Sequence, residues 1–125
     1  MKEIMAIVRI NKMNETKRAL SDAGFTGLTA AGKVHGRGKG LVDYQLIKGA
    51  EEGYQEAIAQ LGKSPRLMSK RLFTLVVRDE KKDLAVETII KANSSGNPGD
   101  GKIFVMPVLD SVRVRTDESG DKTLD

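Results

Sequence analysis

The chain has no cysteine, no tryptophan, one histidine and three prolines among its 125 residues. Without cysteine there is no disulfide scaffold, no thiolate metal site and no thiol nucleophile. With His35 alone, any Ser–His–Asp arrangement would rest on one residue in a glycine-rich stretch, where a solvent-facing role is the ordinary reading. Metal sites built from His and Cys are excluded, so no metal is expected on protein side chains. An aromatic share of 4% argues against recognition by base stacking. Long apolar runs are also missing. The opening MKEIMAIVRIN is closed by Arg9 and Asn11 well short of a signal core or a membrane span, and no later segment reaches spanning length. A cytoplasmic, soluble chain with no membrane insertion is expected. Charge of one sign is nearly balanced: 21 Lys and Arg against 17 Asp and Glu leave +4, which suits an anionic ligand but is too little to imply nucleic acid. What is present, 39% hydrophobic residues, supports one compact domain.

Residues 2–10 predict a buried strand, because Ile4, Ala6 and Val8 alternate with Met5 and Ile7 and both faces stay apolar until Arg9. Asn11 or Asn14 can cap a following helix carrying Met13, Thr16, Leu20 and Ala23, and Gly24 stops it. Residues 25–34 predict a second strand. A second cycle starts near Lys70: Leu72–Val77 is a strand, and Arg78-Asp79-Glu80 opens a helix with Leu84, Val86, Ile89 and Ile90 mostly on one face. Ser94–Gly99 ends that helix with loop chemistry. Ile103–Val105 and Ser111–Val114 predict short strands, and 116–125 a frayed, charged tail.

Strand–helix–strand, a long insertion, then strand–helix–strand is the split βαβ pattern: an α+β, ferredoxin-like fold in a single domain over 1–125. The second sheet face is apolar in places and is expected to be covered by self-association. The insertion, 35–69, is long for a connection within a compact domain, and such loops usually carry function. Within it, Tyr54, Ala57, Ile58 and Leu61 recur at helical spacing. They form either a short helix that docks on a partner or one packed on its own domain.

Three basic features could hold an anion. Gly36-Arg37-Gly38-Lys39-Gly40 can turn backbone amides toward one anion, although such runs are common in solvated loops. Pro98-Gly99-Asp100-Gly101-Lys102 allows close approach of a phosphate with one lysine charge; an ordinary Asp-Gly turn is the alternative, and a Walker A spacing is absent. Arg113-Val114-Arg115, if a strand, puts both arginines on one face, suited to phosphate oxygens or simply to a solvated edge. Together the three favour a polyphosphate site. A phosphotransferase using His35, or an RNA-binding sheet, are readings from other classes, and the latter lacks the aromatic pattern it needs.

At this point the chain resembles the PII signal-transduction family over nearly its whole length. Met1-Lys2-Glu3-Ile4 resembles the family's opening strand, and Gly24–Thr29 its turn into the second strand. Gly36–Gly40 resembles G-R-Q-K-G with one change, and Gly49-Ala50-Glu51 resembles R-G-A-E. Gly99–Val105 and Arg113–Thr116 resemble its phosphate loop and closing R-[IV]-R-T. The resemblance implies a trimer with ATP or ADP between subunits. Gly99, Asp100, Gly101 and Lys102 would cradle phosphates, Arg113 and Arg115 would grip them, and Arg37 would reach in from a neighbour. Ile7, Thr29, Gly36 and Val76 would line the nucleotide pocket. Lys70 would pair with a carboxylate of 2-oxoglutarate, near Arg9, Gly38, Lys39 and Gly40, with Mg2+ carried by the nucleotide.

Two departures stand out. Gly38 replaces the glutamine that in the family helps hold Mg2+ and 2-oxoglutarate, and Glu52 stands where the modified tyrosine usually follows Gly-Ala-Glu, with Tyr54 two residues on. The long loop exceeds the family's by roughly a dozen residues, about one small helix. An enlarged loop resembles the PII-like pair encoded with nitrogenase genes in methanogenic archaea, most of all its second, longer-looped member. That implies inhibition of nitrogenase at its dinitrogenase component, with a sister PII-like subunit as a further partner and Tyr54, Ile58 and Leu61 on the binding segment. A general PII regulator of an ammonium channel or assimilation enzyme is the alternative.

Overall fold

The computed structural model describes residues 1–36 and 67–125. The chain divides into two compact units, residues 1–34 with 69–125, and residues 35–68; the first is described below. Its elements are β1 (Lys2–Val8), α1 (Met13–Asp22), β2 (Thr29–Gly36), β3 (Met68–Val77), α2 (Lys82–Asn93) and β4 (Gly101–Pro107). The sheet order is β2-β3-β1-β4, with β1 antiparallel to both β3 and β4. This is the ferredoxin-like α+β arrangement that the element order predicts.

Alternation sorts the strands into two faces. Ile4, Ala6 and Val8 of β1 and Phe73, Leu75 and Val77 of β3 are buried, and they form the core with Met13, Leu20 and Phe25 from the α1 region and Ala85 and Ile89 of α2. The opposite face carries Met5, Ile7, Leu72, Val76, Phe104 and Met106, none of them fully buried, and Phe104 is 44% exposed.

The two halves enter their helices by the same turn. Arg9 and Arg78 stay extended, Lys12 N–H donates to the Arg9 carbonyl at 3.0 Å and Lys81 N–H to that of Arg78 at 2.9 Å. Each helix therefore begins from a 3₁₀ turn, Ile10–Lys12 or Asp79–Lys81. The expected Asn11 or Asn14 cap is absent: Lys12 occupies the cap position without a side-chain bond, and its carbonyl accepts from Thr16 Oγ1 at 2.7 Å.

Other expectations shift for local reasons. β2 begins at Thr29, not residue 25, because a Schellman-type stop holds the preceding chain: Gly24 takes φ +97°, its N–H donates to the Ser21 carbonyl, and Phe25 N–H to that of Leu20 at 2.8 Å. Phe25 thereby enters the core. On α2 the buried stripe is Ala85, Ile89 and Asn93, while Leu84 and Ile90 are exposed. Asn93 is tolerated inside because its Nδ2 donates to Thr16 Oγ1 and to the Ile89 carbonyl, each at 2.9 Å, and so ties α2 to α1.

Ser111–Val114 is not a strand. Only the Val112–Ser119 bridge forms, and the chain turns because the Arg113 carbonyl accepts from both Thr116 and Asp117, with Asp117 at φ +60°. The segment expected to fray folds back as well. Residues 121–123 make a 3₁₀ turn, Thr123 Oγ1 donates to the Gly120 carbonyl at 2.7 Å and lies 2.7 Å from Ser111 Oγ, and Asp125 packs beside Gly27. Among the described residues no helix is long and apolar enough to cross a membrane.

Candidate functional site

The loop between α2 and β4 is built by one carboxylate. Asp100 Oδ2 accepts from the backbone N–H of Ser95 at 2.7 Å and of Gly96 at 3.0 Å, and Oδ1 accepts from Ser95 Oγ and from Arg9. With these donors aimed at it, the Asp100 carboxyl is held well below the usual carboxylate range, chiefly by the Ser95 bonds. Asp100, expected to face phosphate, turns its side chain into its own loop.

Glycine is required where this loop joins the sheet. Gly101 sits opposite Val8 at φ +118°, and a Cβ there would lie 2.0 Å from the Ile7 carbonyl oxygen. Gly99 takes φ +98°, and a Cβ would lie 3.2 Å from Arg9 Nη2 and 3.4 Å from Lys70 Nζ. The missing side chains let two cations close on the backbone.

Those cations come from the ends of β1 and β3. Arg9 Nη2 donates to the Pro98 carbonyl at 3.1 Å while Nη1 pairs with Asp100. Lys70 Nζ donates to the Gly99 carbonyl at 2.6 Å. Burial and the adjacent Arg9 charge lower the Lys70 pKa, with Asp100 acting against them. Among the described residues, two cations face one carboxylate and leave a net positive pocket, and Lys70 donates there to the Gly99 carbonyl alone, whereas an ammonium carries three donors. An acidic ligand fits this donor set. Ser95 was not singled out by the sequence, although it supplies two of the donors that organise the loop.

The expected residues do not all converge. Ile7, opposite Lys102 in β4 and Leu72 in β3, lies near the Arg9 end. Val76 faces Glu3, four strand residues along from Leu72, or about 13 Å. Thr29 opens β2 and Gly36 closes it. Arg113 and Arg115 follow Pro107, which pairs with Lys2 at the far end of β4, about 20 Å from Gly101. Nor do the two arginines share a strand face: Arg113 donates to Glu118 Oε1 at 3.0 Å and to the Lys122 carbonyl at 3.2 Å, and Arg115 is exposed on the turn. Within one chain these residues form two groups at opposite ends of the sheet. Arg37, Gly38, Lys39, Gly40, Tyr54, Ile58 and Leu61 lie outside the described residues.

Comparison with known proteins places this geometry. Residues 1–118 match the family model described as "Nitrogen regulatory protein P-II". A "Nitrogen fixation nifHD region GlnB-like protein 2" of Methanobacterium ivanovii is 44% identical over 99% of this chain and 99% of its own. A like-named protein of Methanococcus maripaludis is 44% identical over 99% of this chain and 100% of its own. Arabidopsis thaliana PII bound to citrate superposes with a TM-score of 0.71 at 29% identity, over 97% of this chain and 86% of that one. The chain belongs to the P-II nitrogen regulatory protein family.

Proposed function

We propose that the chain is a PII-type regulator of nitrogen fixation that binds ATP or ADP and 2-oxoglutarate and inhibits nitrogenase by docking on its dinitrogenase component. The observation that carries the ligand part is the convergence of Arg9 and Lys70 on the Pro98 and Gly99 carbonyls. Guanidinium and ammonium beside bare glycine backbone suit carboxylate and phosphate oxygens. The citrate in the Arabidopsis relative is a carboxylate ligand of the same broad class. The nitrogen-fixation part rests on the nifHD-region names of the methanogen relatives.

In this reading Lys70 and Arg9 receive the carboxylates of 2-oxoglutarate, and Gly99, Gly101 and Lys102 receive nucleotide phosphates with their Mg2+. Arg113, Arg115, Val76 and Thr29 serve a nucleotide held by a second copy, which is why one chain carries the two groups at opposite ends of its sheet. The half-exposed apolar face with Phe104 is then the trimer interface, as homomer or with a sister subunit. The protein does no chemistry of its own. Ligands with unequal affinity for two states of the 35–69 segment shift its population, and one state presents that segment to the partner.

Capture of dinitrogenase by the immobilised protein, with and without Mg-ATP and 2-oxoglutarate, tests this. Capture without 2-oxoglutarate and release with it is expected, as is loss of capture on deleting residues 41–65 while ATP binding survives. Capture that ignores 2-oxoglutarate, or that survives the deletion, contradicts the reading. The general names of the relatives "Nitrogen regulatory protein P-II 2" from Methanothermobacter thermautotrophicus (43% identical) and "Nitrogen regulatory protein P-II" from Pyropia yezoensis (36% identical) favour a second reading, regulation of an ammonium channel or an assimilation enzyme. Recovery of a membrane channel in place of nitrogenase would select it.

A further inference from the structure

We propose that Glu118 is an internal competitor at the Arg113 and Arg115 turn: its carboxylate occupies Arg113, and a phosphate must displace it or bind against its charge. The inference rests on the functional reading above, in which this turn lends both arginines to a nucleotide held by a second copy. It adds the residue that sets how tightly they grip.

The pair is built into the backbone. The Val112–Ser119 bridge closes the turn. Inside it, the Arg113 N–H donates to the Glu118 carbonyl at 2.8 Å, and the Arg113 carbonyl accepts from Thr116 and Asp117. The two residues therefore face each other across the turn, and Arg113 Nη1 donates to Glu118 Oε1 at 3.0 Å. Arg113 Nη2 donates to the Lys122 carbonyl at 3.2 Å, within the 3₁₀ turn at 121–123. A hydrogen bond with Thr116, and after it the charge and bond of Arg113, hold the Glu118 carboxyl below the usual carboxylate range against partial desolvation. It is ionised at neutral pH.

Arg113 and Arg115 are therefore unequal. Each tip nitrogen of the Arg113 fork already has an acceptor from its own turn, and one of these acceptors is a full negative charge. The fork that would meet phosphate oxygens in pairs is occupied, and the ion pair as a whole is neutral. Arg115, two positions on, is exposed and donates to no described residue. Arg115 then makes the first contact, and Arg113 joins as phosphate replaces Glu118. The Arg113 and Glu118 side chains are 31% and 39% exposed, so the exchange forfeits what a partly exposed pair is worth, up to about fivefold in affinity.

Glu118→Gln is the informative variant. It keeps the backbone bonds that close the turn and removes only the competing charge. Calorimetric titration of Mg-ATP into the full chain should show binding at least about threefold tighter than in the wild type. Asp117→Asn removes the same unit of charge one residue away, from a side chain that bonds neither arginine, and Asn accepts the φ of +60° as Asp does. It should change the affinity by less than about 1.5-fold, as expected of an exposed, unpaired charge. Unchanged affinity in Glu118→Gln, or an equal gain in both variants, would overturn the proposal. So would weaker binding in Glu118→Gln, which would show that the carboxylate orients Arg113 for its ligand. A wild type that binds no Mg-ATP removes the functional reading and the competition together.

A second measurement reads the exchange itself. Carboxyl-detected NMR should show the Glu118 pKa raised at saturating Mg-ATP, as the carboxylate loses Arg113 and gains a phosphate neighbour. Without ligand, Arg113→Gln should raise it as well. A Glu118 pKa unmoved by saturating Mg-ATP would overturn the proposal. One unmoved by Arg113→Gln would show that no pair exists to be displaced, whatever the nucleotide does.

Discussion

Replacing Gly101 with alanine tests the argument that the loop and the sheet share one backbone junction. At φ +118° the residue lies outside the region open to a side chain, which costs about 1–3 kcal/mol. The new Cβ would also sit 2.0 Å from the Ile7 carbonyl oxygen, 3.1 Å from its carbon and 3.3 Å from Val8 Cα. These are backbone atoms of the neighbouring strand, so relief requires β1 and β4 to move apart. Overpacking of this kind costs about another 1–3 kcal/mol. The sum, roughly 4 kcal/mol, is a large part of the stability of a small domain. Gly96→Ala is the matched control, with φ +79° and nothing within 4 Å of the new Cβ, so it bears the conformational cost of about 1–2 kcal/mol alone. Urea unfolding should separate the two variants by about 2 kcal/mol or more. Equal midpoints at equal slope would refute the steric part of the reasoning.

Thr16→Val should cost about 1–3 kcal/mol in the same assay. Thr16 is fully buried, donates to the Lys12 carbonyl and accepts from Asn93, so both partners lose a bond. Thr88→Val, whose exposed hydroxyl bonds the Leu84 carbonyl and no other described residue, should stay within about 0.5 kcal/mol, and equal losses would contradict the interhelical role. Phe73→Ala, fully buried at the centre of the core, should cost about 3–5 kcal/mol in chemical denaturation. For pH, the folded Asp100 carboxyl ionises below its unfolded value of about 3.9. Its stabilisation is therefore complete at neutral pH and is lost only as pH falls through the lower folded value. The Ser95 and Gly96 amide signals should hold from pH 7 to about 4; a transition centred in the ordinary aspartate range would contradict the hydrogen-bond network.

The sheet and its helices were legible because their signals are local. Alternation marks Ile4, Ala6 and Val8, and Gly24 after Ala23 marks a helix end. The structure departs from the sequence reading where a polar group's partner carries no periodic signal, whether near or far along the chain. Asn93 is inside because Thr16, seventy-seven positions away, receives its amide. Asp100 reads as a ligand contact until Ser95 and Arg9 are seen to occupy its oxygens. Arg113-Val114-Arg115 has strand composition, but Thr116 and Asp117 both bond back to the Arg113 carbonyl and turn the chain. Lys70 and Arg9 came from resemblance, and their convergence on Pro98 and Gly99 became visible only when β1 and β3 were paired side by side.

The most direct test is calorimetric titration of 2-oxoglutarate into the full chain, with Mg-ATP present and absent. The account predicts binding that requires Mg-ATP and is lost in Lys70→Ala. Binding of Mg-ATP with no response to 2-oxoglutarate, or a response that Lys70→Ala leaves intact, would contradict the site built on Arg9, Lys70 and the Gly99–Lys102 loop.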